Sequence, residues 1–121
     1  MKKKVLLLSS LMLSLISCDD SQDYKDIAGE WKCANWTAES SGNKNMCNDN
    51  VYFNFNEDKT YNSKVGGLEE KGTYRLFGGN LYSTPEGKME IAVELGKMSK
   101  DSLQFIMSRS GDKEVLTLVR K

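Results

Sequence analysis

Histidine is absent from all 121 residues. That removes the usual general base, the commonest metal ligand and the one side chain that changes charge near neutral pH. Serine is plentiful, but without histidine only a Ser–Lys arrangement could activate it, and no spacing marks such a pair. Paired carboxylates across a cleft are missing too. Glu90 and Glu94 share one face of one segment, and Glu69-Glu70 reads as a solvated pair beside a turn. The Gly-Gly turns have no helix after them, so they are hairpin turns and not phosphate cradles. No basic cluster with interleaved aromatics is present. The chain therefore reads as a non-enzyme, with no catalytic residue, no metal site and no cofactor. Proline occurs once, in a turn, so nearly every residue can donate its N–H to a ladder. Past the first seventeen residues there is no helix-period apolar stretch of useful length.

What is present starts at the N-terminus. Met1-Lys2-Lys3-Lys4 is cationic, Val5 to Ile16 is apolar apart from serines, and Asp19 to Asp26 is acidic and polar. A charged run, an apolar run and a small residue before a cut make a secretory signal. The apolar run is shorter than the roughly 20 residues a spanning helix needs. Its end, Leu15-Ile16-Ser17-Cys18, resembles the bacterial lipobox. The resemblance implies removal of residues 1–17, acylation of Cys18, a polar tether over 18–26 and a folded domain over 27–121. Two or more acyl chains, each contributing about 0.8 kcal/mol per buried methylene, make a stable anchor. The expected location is the bacterial cell envelope, on the outer membrane, with the membrane itself as a partner through the lipid.

Without residues 1–17 the chain keeps 104 residues, fourteen basic and seventeen acidic, for a net charge of −3. That is one small domain, and its mild acidity argues against nucleic acid as a partner. Of three cysteines, Cys18 goes to the lipid and Cys33 and Cys47 remain. In an oxidising compartment an even remainder favours a disulfide, with two reduced buried thiols as the alternative. Such a bridge would close a serine- and asparagine-rich loop, 40–50, and contribute about 3 kcal/mol.

From Ile27 onward the chain divides into about eight short runs separated by turn residues. Val51, Phe53 and Phe55 alternate onto one face; Met89, Ile91, Val93 and Leu95 do the same, as do Leu103, Phe105 and Met107. Runs at roughly 8–12-residue spacing predict an all-β fold, and connections this short force antiparallel hairpins. The simplest product is an up-and-down meander closed into a small barrel behind the N-terminal signal helix. Val51, Phe53, Phe55, Ile91, Val93, Leu103, Phe105 and Met107 are then expected to point inward.

The Ile27-Ala28-Gly29-Glu30-Trp31 opening, the Phe53 to Tyr61 hairpin, Lys71-Gly72-Thr73-Tyr74 and the closing Leu116 to Arg120 resemble lipocalin-like lipoprotein domains of Bacteroidota. That resemblance implies that Trp31, after Gly29, closes one barrel end under Arg120 through a cation–π contact. The chain is shorter than true lipocalins and lacks their long C-terminal helix. A small apolar or amphipathic ligand is the implied partner, with Trp36, Tyr52, Tyr61, Tyr74 and Tyr82 as candidate lining, since such rings join an apolar body to a polar tip. The alternative is a protein-interaction or inhibitor module of the envelope, with a filled barrel and the 40–50 loop as its contact surface.

Overall fold

The computed structural model describes residues 21–121; the signal segment and Cys18 lie outside the described residues. A short helix, α1 (Ser21–Ile27), leads into eight strands: β1 (Gly29–Ala38), β2 (Val51–Phe55), β3 (Thr60–Val65), β4 (Leu68–Phe77), β5 (Asn80–Pro85), β6 (Ile91–Met98), β7 (Ser102–Arg109) and β8 (Asp112–Arg120). Each strand pairs antiparallel with the next, and β8 pairs with β1. The sheet is a closed up-and-down barrel. Closure leaves no edge strand, which is how a small sheet avoids pairing with other chains.

The segment expected to be a structureless tether is helical from Ser21. Tyr24 and Ile27, three residues apart, fall on one helix face. Ile27 is fully buried and Tyr24 packs against the core. The Tyr24 hydroxyl accepts the Leu76 backbone N–H at 2.9 Å. Seven residues are too few to hold a helix alone, so this docking is what maintains it. The polar composition of 18–26 concealed one anchor, Tyr24, at helical spacing from Ile27.

Two bulges adjust the alternation. In β1 the register against β8 shifts between Cys33 and Asn35, so Trp36 faces inward where strict alternation from Trp31 would place Asn35. In β6 the shift falls between Leu95 and Lys97, which turns Met98 inward. Gly96 sits at that kink, where a Cβ would lie 2.6 Å from the Gln104 side chain and 2.7 Å from Ile106 Cδ1.

Val51, Phe55, Leu103 and Phe105 are buried, with Phe53, Val93 and Met107 packed against them. Ile91 departs from expectation: it is 50% exposed. The β6–β7 ladder begins only at Glu94 opposite Ile106, whereas Ile91 pairs with Ser83 of β5. It therefore stands at the rim with a neighbour on one side alone. Met89 precedes the strand and is also exposed.

Cys33 and Cys47 form a disulfide with Cα atoms 5.6 Å apart. β2 pairs with β1 only as far as Lys32, so the upper part of β1 needs other partners. The connecting loop supplies them. Met46 N–H donates to the Trp36 carbonyl at 2.8 Å, and the Asn45 side chain accepts from Trp36 N–H and donates to the Ala34 carbonyl. The disulfide pins this substitute strand in place.

Candidate functional site

The barrel has two unlike ends. At the end covered by α1, Trp31 is fully buried and its indole N–H donates to the Ile27 carbonyl at 2.7 Å. The Arg120 guanidinium lies 4.0 Å over the Trp31 ring. Its N–H groups also donate to the carbonyls of Ala28, Asp26 and Lys100. One cation thereby ties together the helix–β1 junction, the β6–β7 turn and the end of β8. Gly29 has φ +124°, and a Cβ there would fall 2.5 Å from Arg120 Nη1. Only glycine both adopts that backbone and clears the guanidinium. Tyr74, Phe55 and Tyr24 fill the space alongside, with Phe55 and Tyr74 edge to face at 5.0 Å. This end is a plug.

Away from the plug, inward side chains differ in how well they are covered: Val51, Ala38 and Glu114 are buried, but others are not. Phe53, Trp36, Val93 and Met107 face in yet are only partly buried. Phe53 presents its ring edge to Phe105 at 5.2 Å. The wall is asymmetric. β3 and β4 contribute Tyr61, Ser63 and Glu70, while β2 and β7 contribute the phenylalanines. Ser63 pairs with Phe53 on one side and Glu70 on the other. The Tyr61 hydroxyl donates to Glu70 Oε1 at 3.3 Å. Burial, with the Glu70 charge beside it, pushes the Tyr61 hydroxyl up to about 12. Farther up, Trp36 Nε1 donates to Glu114 Oε1 at 3.0 Å, and Glu114 is itself buried.

Of the five aromatic lining candidates, Trp36 and Tyr61 face this interior. Tyr74 also points inward, but it belongs to the plug, its hydroxyl bonded to the Asn56 carbonyl at 2.8 Å. Burial, followed by the neighbouring Tyr24, Asp58 and Glu57, pushes it up to about 12. Tyr52 and Tyr82 stand on the outer surface, because their strand neighbours Val51, Phe53, Leu81 and Ser83 take the inner face. Tyr82 carries the Arg75 guanidinium at 4.1 Å, and Arg75 pairs with Glu90 at 3.0 Å. Tyr52 borders an outer hollow of about 390 Å³ beside the disulfide, together with Lys32 and Lys121.

Sequence reasoning missed Ser63, Glu70 and Glu114. Glu69 and Glu70 are not a solvated pair: Glu69 faces outward to Lys64 at 3.8 Å, and Glu70 takes the inner parity with Gly72 and Tyr74. The parity was available from the buried Tyr74, but a glutamate on an inner face is read as solvent-facing by default. Among the described residues, no group of three or more acidic or cysteine side chains is placed to hold a metal ion.

Residues 27–105 match the family model described as a lipocalin-like domain. Among solved structures, a lipocalin-like protein from Bacteroides uniformis superposes with a TM-score of 0.58 at 17% identity. The match covers 79% of this chain and 99% of that one, and at that identity it speaks to the fold alone. No curated protein sequence matches.

Proposed function

Because this chain belongs to the lipocalin-like domain family, we propose that it is a lipid-anchored lipoprotein of the bacterial cell envelope, on the outer membrane, that takes a small apolar or amphipathic ligand into its barrel and catalyses nothing. The observation that carries the ligand reading is the set of inward-facing, only partly buried apolar side chains, Phe53, Trp36, Val93 and Met107. In a filled barrel, inner side chains are covered by those of neighbouring strands. Here one end is sealed by Trp31, Arg120 and α1, while these four inner side chains beyond it keep some exposure although Val51, Leu116 and Ala38 on the same wall are buried. A polar strip faced by an apolar wall is the composition of a pocket that orients an amphiphile. Anchoring rests on the lipobox-like Leu15 to Cys18 and the cationic-then-apolar run ahead of it.

Native mass spectrometry of the protein drawn from its own host's envelope tests the ligand reading. A retained small molecule is the expected result; an empty barrel with a co-purifying protein would overturn it in favour of an interaction module. For the anchor, labelling with a palmitate analogue is expected in the wild type and lost in Cys18→Ala. Label persisting in that variant would refute acylation at Cys18.

A further inference from the structure

Two polar groups on the inner wall, one buried and one partly exposed, have fewer protein partners than they can hold. Ser63 is 5% exposed, in mid-strand, flanked across the ladder by Phe53 and Glu70. Its hydroxyl has no hydrogen-bond partner among the described residues. A buried hydroxyl left unmade costs about 1–3 kcal/mol, so such groups are normally satisfied by water or ligand. Glu70 is the second. Its carboxylate can accept about four hydrogen bonds, and it receives one, from Tyr61. No cation pairs with it among the described residues, since Lys64 reaches Glu69 on the opposite face of the sheet.

The two groups are directly opposite on adjacent strands, with the Tyr61 hydroxyl reaching the same carboxylate from one step nearer the plug. Four oxygens, two from side-chain hydroxyls and two from a carboxylate, thus lie on one patch, with a negative charge and with the Phe53–Phe105 pair at its border. An ammonium carries three N–H donors and no acceptor, which complements that set. A carboxylate head would instead meet the Glu70 charge, and a neutral head would leave that charge unpaired inside the barrel.

We propose that the barrel selects ligands bearing a protonated amine on an apolar body, the ammonium seated on Glu70 with the Ser63 and Tyr61 oxygens beside it and the apolar body along Phe53 and Phe105. This rests on the barrel taking an amphiphile at all, and the test separates the two claims. Dodecylamine, dodecanol and dodecanoate share one chain and differ in the head. Each is titrated into the full chain below its micellar or solubility limit, with tryptophan fluorescence as the readout.

The amine is expected to bind at least about tenfold tighter than the other two, the ratio that one hydrogen bond to a charged group confers. Glu70→Gln, which preserves the shape and removes the charge, should abolish that preference. Glu69→Gln, on the outer face, should leave the preference intact, and Ser63→Ala should weaken the amine alone. Equal binding of the three, tighter binding of dodecanoate, or a preference that survives Glu70→Gln overturns the inference while the ligand-binding reading stands. Binding by none of the three also overturns it, and mass spectrometry of the native protein then judges the broader reading independently.

Discussion

Arg120 shows how much one side chain can hold when all three of its nitrogens donate. It covers Trp31 and bonds three backbone carbonyls from two separate segments. Arg120→Ala leaves those carbonyls without their donor and is expected to cost about 3 kcal/mol, measured by denaturant unfolding. Arg120→Lys should recover little, because one ammonium cannot span the acceptors a planar fork reaches. Tyr61 and Tyr74 set an alkaline limit. Both are raised from 10.0 to about 12, in each case chiefly by burial. Below pH 10 both states hold the phenolic proton, so neither residue makes stability depend on pH. Between about 10 and 12 the unfolded chain releases protons that the folded one keeps, and stability falls as pH rises. Unfolding midpoints are expected to be flat up to pH 10 and to decline above it. Tyr61→Phe should reduce the slope of that decline.

At the scale of elements, α1 and the 40–50 loop have parallel duties, each covering a part of the barrel that strands leave open. Ile27 is fully buried under the plug, and Ile27→Ala is expected to cost about 2–5 kcal/mol by denaturant titration, as other large core truncations do. The loop depends on the disulfide, whose half-cystines are 14 residues apart. Reduction should lower stability by about 3 kcal/mol and, by hydrogen exchange, unprotect the Met46 N–H that bonds the Trp36 carbonyl. The pattern Val51, Phe53, Phe55 made β2 legible in advance, and pairing put Phe55 at 2% exposure. Phe53 is half-buried because it borders the open interior. Phe53→Ala should therefore cost less than Phe55→Ala. The bulges were not legible. Nothing local distinguishes Ala34 as an extra residue, and its effect on Trp36 exists only against β8.

For the whole molecule, the docking of α1 sets an orientation. With acylation at Cys18, only residues 19 and 20 separate the lipid from a helix fixed to the plugged end. The plugged end then faces the bilayer and the open end faces away. Phe77, 65% exposed at the β4–β5 turn on the plugged side, and Met89, 85% exposed on the open side, report on this. A fluorophore at position 77 is expected to be quenched by lipid-borne quenchers and one at 89 to be spared; the reverse result would mean that the mouth meets the membrane.

Eight strands, their antiparallel order, the pairing of two cysteines and most of the inner face follow from alternation, turn residues and cysteine number, all of which are local or additive along the chain. Three things did not follow. The helix at Ser21 depends on the barrel end it covers. The inner placement of Trp36 depends on a bulge defined by a partner strand 78 residues away. The polar strip of Ser63, Glu70 and Tyr61 depends on three positions being brought opposite one another by ladder register. Periodicity states which side of a strand a residue takes. Only closure decides which residues from different strands share a height in the barrel, and a binding site is made of residues that share a height.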